Sequence, residues 1–349
     1  MYIQLLQQLI ATPRTSRNEA AAADMLSAWL TRQGISHNRH NNNIWTIAPN
    51  YQPDRPTLLL NAHIDTVKPA TTWQRDPFQP TLEGDTLYGL GANDDGASLV
   101  ALLAVFRQLT THAQPYNLIW LASAEEEVSG SDGIRSVLPL LPHIDVALVG
   151  EPTGMQPAIA EKGLIVIDCT THGRAGHAAR AEGDNAIYHA MEDINWIRNY
   201  RFPRHSTLLG DVRTTVTIIN AGTQHNVIPD ICHYTIDVRT NECYTNTEII
   251  DIIRQHINAD LKPRSTHLNS SSIPQTHPLV QRAITLGRTP FGSPTLSDQA
   301  LMPFPSLKMG PGQSQRSHTA DEFIRISEIN LAITDYITML DGCDLSRAV

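Results

Sequence analysis

The sequence is short of several things, and each shortage removes a class of function. Its 349 residues contain no apolar run near the roughly 18 that a membrane helix needs, so no membrane-embedded chain is expected. The opening Met1-Tyr2-Ile3-Gln4-Leu5-Leu6-Gln7-Gln8-Leu9-Ile10 lacks a basic start and is interrupted by glutamines. It reads as an amphipathic helix and not as a signal peptide. Only four cysteines are present (Cys169, Cys232, Cys243, Cys343), with no C-x-x-C spacing, which argues against a disulfide framework or a thiolate metal site and suits a reduced, cytoplasmic setting. Basic residues are also scarce: 26 Lys and Arg stand against 35 Asp and Glu, a formal net charge of −9 that lacks the footprint of a nucleic-acid binder. Neither a G-x-G-x-x-G nor a Walker lysine occurs, and no internal repeat is visible. What remains is an enzyme-sized chain of one or two domains, 41% hydrophobic and 17% charged, too apolar to be disordered.

The N-terminal part alternates helical and strand-like patterns. Ala21, Ala22, Met25, Leu26, Trp29 and Leu30 recur at helical spacing, with Gly34 as a stop. Apolar runs follow at 57–60, 117–121 and 146–149, with a helical pattern at 97–109, as an α/β unit with a buried sheet requires. Beyond Gly163 the order becomes strand (164–170), helix (185–200, with Ile187, Met191, Ile194 and Ile197 on one face), strand (214–220), strand (232–239) and helix (247–257). That order suits a small α+β sandwich carrying both helices on one sheet face, and it places an inserted domain at 163–271 within a main domain of 1–162 and 272–349. The chain is then expected to be looped as far as Gly312. It closes with a helix striped by Ile326, Ile329, Ile333, Ile337 and Leu340, and residues 341–349 read as a frayed tail.

Four segments carry chemistry. Asn61-Ala62-His63-Ile64-Asp65 ends the first buried run, and alternation puts His63 and Asp65 on one side of it, at the strand end where α/β sheets bind ligands. Gly89-Leu90-Gly91-Ala92-Asn93-Asp94-Asp95-Gly96 runs into a helix, Ser123-Ala124-Glu125-Glu126-Glu127 follows the second run, and Val149-Gly150-Glu151 follows the third. Singly, each has an ordinary reading: a hydrogen-bonded surface histidine, a helix cap, a solvated acidic turn, a loop glutamate. Together, four strand-end segments deliver imidazole and carboxylate donors without thiolate, the donor set of a hydrolytic metal centre with an open coordination position.

In these segments the chain resembles the acetylornithine deacetylase and succinyl-diaminopimelate desuccinylase group of co-catalytic zinc amidohydrolases, with their carboxypeptidase relatives. The resemblance implies a zinc-peptidase-like α/β catalytic domain with a mixed sheet between helices, plus an inserted α+β dimerisation domain. It further implies two zinc ions, or cobalt in their place. His63 and Glu151 would hold the first, Glu127 and His318 the second, and Asp94 would bridge them, followed by a cis peptide to Asp95. Asp65 would orient His63, and Glu126 would be the general base. His177, in Gly173-Arg174-Ala175-Gly176-His177, would stabilise the oxyanion in the active site of the other subunit of a homodimer. Asn226 and Arg239 would contact substrate, the arginine through a carboxylate. Two departures stand out. Gly96 directly follows Asp95 where the commoner pattern has a Lys before its Gly, and Glu125 replaces the usual Asp. The activity implied is deacylation of an N-acyl amino acid, N-acetyl- or N-succinyl-ornithine in arginine biosynthesis. Succinyl-diaminopimelate desuccinylase or dipeptidase activity is the alternative within the family, and a non-catalytic binding protein on the same fold is the remote one. Arg316 and Lys308 are two cations to consider for a succinyl carboxylate, each with surface placement as its ordinary reading.

Overall fold

Three buried strands set the frame of the first unit in the computed structural model, which describes residues 1–180 and 182–345. Thr57–His63 runs parallel to both Asn117–Ser123 and Val146–Val149. Ser306–Lys308 adds a further parallel strand beside Val146–Val149, while Asn43–Ile47 pairs antiparallel with Asn117–Ser123, so the sheet is mixed. The apolar runs are continuous because both faces are covered. Leu58, Leu60, Ala62, Leu118, Trp120, Ala122, Val146 and Leu148 pack in one core with residues of the helices Tyr2–Ala11, Ala20–Arg32, Ala97–Leu109 and Ile326–Leu340. The alternate residues Leu59, Ile119, Leu121, Ala147 and Val149 face a smaller cluster with Ile134, Val137, Ile144 and Met302. This division follows the two-residue period of a strand. The parallel strands share a carboxyl edge, since His63 is in register with Ser123, and Asn61 and Lys308 are both in register with Val149.

The chain divides into a first unit (1–159, 272–291 and from 297 on) and a second (160–271 with 292–296). The second unit holds an antiparallel sheet in the order Arg213–Ala221, Ile231–Thr240, Gly163–His172, Asp260–Pro263. Ile165, Ile167, Cys169, Tyr234, Ile236 and Val238 turn one face toward Ala186, Ala190 and Ile197 of the helix Ala186–Asn199, and toward Ile249, Ile250 and Ile253 of Asn246–Arg254. Both helices begin at side-chain caps. Asn185 accepts from Ile187 N–H at 3.0 Å, and Thr245 and Glu248 form a reciprocal capping box.

Several expectations from the sequence need correction. A fourth strand, Asp260–Pro263, joins the second sheet; its Asp, Lys and Pro are edge-strand residues that break an apolar alternation. Met191 is exposed, because the helix seats Ala186, Ala190, Asp193 and Ile197 against the sheet, one step round from the predicted stripe. The stretch after the insert is not all loop: Pro278–Thr285 is a helix, with Pro278 at its first turn and the His277 ring accepting from Leu279 N–H. In the closing helix the fully buried positions are Ile329, Ala332, Tyr336, Met339 and Leu340, while Ile333 and Ile337 pack at the margin of the core. The tail is anchored as far as it is described. Cys343 and Leu345 are buried, and Arg282 donates to the carbonyls of Asp341 and Gly342; residues 346–349 lie outside the described residues. Among the described residues, no helix is long and apolar enough to cross a membrane.

Candidate metal centre

The carboxyl edge of the parallel sheet gathers the titratable side chains. His63, at the end of its strand, is 2% exposed. Its Nε2 lies 3.1 Å from Asp94 Oδ1, 3.9 Å from Glu126 Oε2 and 4.0 Å from Glu151 Oε1. His318, on a loop after the last parallel strand, places Nε2 3.0 Å from Glu127 Oε2 and 3.6 Å from Asp94 Oδ2. Asp94 therefore turns one oxygen toward each imidazole. Two triads, His63–Asp94–Glu127 and His63–Glu126–Glu151, bring one ligand atom per residue within 4.8 Å of one another. The peptide between Asp94 and Asp95 is cis.

Asp65 ties the cluster together. Its Oδ1 accepts from Glu126 N–H at 3.0 Å, its Oδ2 accepts from Glu127 N–H at 3.2 Å and from Ser16 Oγ at 2.7 Å, and its backbone carbonyl lies 3.0 Å from His63 Nδ1. One carboxylate thus fixes the backbone of both glutamates, and its main chain fixes the imidazole orientation. Glu125, which precedes them, sits at φ +54 with its N–H on Glu19 Oε1.

The electrostatics are those of a site short of positive charge. Burial, reinforced by neighbouring carboxylates, pushes Glu126 and Glu151 well above the usual carboxylate range. Burial opposes charge on His63 too, but Asp65 and Asp94 outweigh it and hold the imidazole well above its ordinary value. The bond to Glu127 raises His318. Burial works against the ionised forms of Asp65 and Asp94, yet their bonds to His63 and to hydroxyl groups hold both below the usual range. Protons thus occupy positions where cations would relieve the same repulsion. With imidazole and oxygen donors converging and no thiolate among them, the residues fit one or two divalent cations.

The other candidates lie in the second unit. Gly176–His177 pairs with Val227–Ile228, and the Asn226 carbonyl accepts from Ala178 N–H at 3.0 Å, so the fold brings the His177 and Asn226 segments together; both residues are exposed. Arg239 is held by Asp237 in a two-point contact at 2.8 and 3.1 Å. Of the two cations considered for a succinyl group, Arg316 is bound to both oxygens of Glu328 at 2.7 and 3.1 Å, and Lys308 is buried at 1% exposure, not a surface cation.

A model of peptidase family M20/M25/M40 matches residues 59–341. The chain belongs to this family. Acetylornithine deacetylase of Edwardsiella ictaluri is 27% identical over 93% of this chain and 92% of its own length. Succinyl-diaminopimelate desuccinylase of Delftia acidovorans is 27% identical over 74% of this chain and 72% of its own. Among solved structures, a tripeptidase from Staphylococcus aureus superposes with a TM-score of 0.76 at 19% identity, covering 97% of this chain and 96% of that one. A dinuclear metal-binding M20 peptidase from Bacillus subtilis gives 0.73 at 17% identity, covering 97% and 96%. The mixed-sheet α/β fold is that of M20 peptidases, and the protein is a metal-dependent hydrolase of this family.

Three buried charged residues at this edge are absent from the sequence-based candidates. Arg14 donates to the carbonyls of Leu9, Ile64 and Gly91; burial pulls it down to about 10, against four nearby carboxylates. Asp298 Oδ2 accepts from Asn61 Nδ2 at 2.9 Å and Ser123 Oγ at 2.5 Å, and burial pushes it up to about 6. Glu322 accepts three backbone N–H bonds from residues 91–94, and burial with Asp94 nearby pushes it up to about 7. None stands in a local pattern that signals burial.

Proposed function

We propose that the protein is a dizinc amidohydrolase that removes the acyl group from an N-acyl amino acid, with N-acetyl- or N-succinyl-ornithine as substrate in cytoplasmic arginine biosynthesis. The observation that carries this reading is the convergence of His63, Asp94, Glu126, Glu127, Glu151 and His318 on one sheet edge. His63, Asp94 and Glu151 would hold one cation, and Asp94, Glu127 and His318 the other. Cations bound there supply Lewis acidity toward the scissile carbonyl and lower the pKa of water. Glu126 takes the proton of the attacking water and hands it to the departing amine nitrogen, a role that its proton-retaining environment supports. Asp65 holds the backbone of Glu126, so the base is aimed before substrate arrives. The filled ligand set speaks against a non-catalytic binding protein.

Arg239 is assigned to a substrate carboxylate, exchanging its contact with Asp237 for the ligand, and Asn226 to a neighbouring polar group. The insert is assigned to homodimerisation, with His177 serving the site of the second copy. The exposed apolar residues Ile218 and Ile219 on the edge strand Arg213–Ala221 support an interface there. Mixing His177→Ala with Glu126→Gln chains should then restore part of the activity, and no recovery in equilibrated mixtures would remove the in-trans role.

The deciding assay is amine release in the presence of zinc from N-acetyl- and N-succinyl-ornithine, citrulline and diaminopimelate, and from simple dipeptides. Preference for an ornithine derivative supports the assignment. Preference for N-succinyl-diaminopimelate or dipeptides replaces the substrate and leaves the metal chemistry standing.

A further inference from the structure

The turn that carries Asp94 is gripped from three sides within the first unit. On one side Glu322 Oε1 accepts from Asn93 N–H at 2.7 Å and Asp94 N–H at 2.9 Å, Oε2 accepts from Gly91 N–H at 3.1 Å, and the Glu322 carbonyl accepts from Gly89 N–H at 3.0 Å. On a second side Arg14 Nη2 donates to the Gly91 carbonyl at 3.0 Å, while its Nη1 and Nε reach the carbonyls of Ile64 at 2.7 Å and Leu9 at 3.2 Å. Gly91 is thus held through its N–H by a buried acid and through its C=O by a buried base. On the third side the Asn93 side chain accepts from Gln313 N–H at 3.0 Å and donates to the Gln313 carbonyl at 3.2 Å and Ser317 Oγ at 3.3 Å, joining the turn to the loop that carries His318.

Arg14 and Glu322 are each 2% exposed and Asn93 is fully buried. Placing a carboxylate beside the Asp94 carboxylate in such a setting is costly and calls for a compensating use. Three converging N–H donors are that use. They need two acceptor oxygens, and a glutamine has one, so its amide N–H groups would oppose one of the donors. The packing admits little slack: a Cβ on Gly91 would lie 2.5 Å from Arg14 Nη2, and a Cβ on Gly312 would lie 2.2 Å from Asn93 Oδ1.

We propose that Glu322, together with Arg14, is a positioning residue that presets the 91–94 turn in the metal-free chain, so that Asp94 offers one oxygen to each half of the site before any cation arrives. The inference rests on the reading of Asp94 as a shared ligand, and it adds that the protein, not the metal, fixes that ligand.

Hydrogen exchange read by mass spectrometry on the wild-type chain tests it directly. The 89–97 segment should already be protected in chelated protein, with less than a twofold change in exchange rate on zinc loading; protection that appears only with metal would overturn the proposal. In Glu322→Gln, exchange of that segment should rise at least tenfold and affinity for the second zinc equivalent should fall about 10- to 100-fold. kcat should fall with KM unchanged, and Glu322→Asp should recover part of each loss. A Glu322→Gln protein that melts earlier but binds both equivalents with wild-type affinity would mean a merely structural residue and would overturn the proposal. Asp94→Ala, which keeps the backbone N–H that Glu322 grips, separates the two ideas. It should lose cations while 89–97 stays protected; two cations bound at wild-type affinity in that variant would remove the shared-ligand reading itself.

Discussion

The two units hold most of their candidate side chains in opposite ways, with His318 of the first unit, 53% exposed, as an exception. In the first, His63, Asp65 and Asp94 are buried, and each is held by partners that are themselves held: Asp65 by Ser16 and two backbone N–H groups, the Asp94 turn by Glu322 and Arg14. In the second, His177 and Asn226 are exposed on short strand ends, and the Arg239 side chain is tied to Asp237, a neighbour two residues away. On the proposed assignments the division is functional: groups that hold cations and move protons need fixed geometry at sub-ångström tolerance, whereas groups that meet a substrate must be free to exchange one partner for another. The contrast separates residues whose loss should abolish chemistry from those whose loss should weaken binding.

The sharpest test of that separation is metal removal. Chelated protein should lose activity by more than about a thousandfold and regain it with two equivalents of zinc or cobalt; activity that survives chelation would break the assignment for the first unit. Next in size, Glu126→Gln should lower kcat by about 10²- to 10⁴-fold while the cations stay bound, as removal of a general base requires. Its counterpart in the second unit, Arg239→Met, should raise KM about 10- to 100-fold, the loss of one charge-assisted contact, with kcat and stability nearly unchanged. If Arg239→Met lowers kcat as severely as Glu126→Gln does, the two units do not divide the work in this way.

Backbone substitutions compare the units again at smaller scale. Gly91 (φ +72) is crowded by Arg14 and Thr66, whereas Gly210 (φ +70) in the second unit has nothing among the described residues within 4 Å of where a methyl group would stand. Alanine at 210 should cost about 1–2 kcal/mol for the left-handed backbone alone. Alanine at 91 should cost about 2–4 kcal/mol, and denaturant midpoints measure both. Of similar size is a pH effect in the first unit. Burial lowers His277 to about 4, below its ordinary 6.5, so its stabilising contribution is complete above pH 6.5 and is lost as pH falls toward 4. The loss should reach about 2 kcal/mol in urea titrations after allowance for partial solvent screening. His277→Asn, which keeps a capping acceptor, should flatten that slope.

The readable part of the fold is the part written locally. Continuous apolar runs locate three of the parallel strands, while Ser306–Lys308 falls in the stretch expected to be looped, and the helical pattern at 97–109 matches the observed helix at both ends. Short motifs single out His63, Asp94, Glu127, Glu151 and His318 in the sequence, and the structure brings these five side chains to one edge. The unread part depends on burial that arises from distant chain. Glu322 and Arg14 sit in ordinary-looking surroundings, and only packing against the 91–94 turn makes them interior charges. Asp260–Pro263 escapes a pattern search because an edge strand needs no apolar alternation, and Met191 falls on the wrong face because a step of one residue turns a helix by about 100°.

The long reach of the contacts at the metal centre bears on how the protein is made. Asp94 and the Glu322 that grips its backbone are 228 residues apart, and His318 and Glu127 are 191 apart, with the whole second unit intervening. During synthesis the chain ahead of His318 can collapse around its sheet while the cluster still lacks both its second imidazole and its latch. Contacts of such long sequence separation form late and slowly. The core waits for the same stretch, because the helix Ile326–Leu340, which packs against the sheet, also follows His318 in the chain, so folding of the first unit and completion of the cluster are one late event.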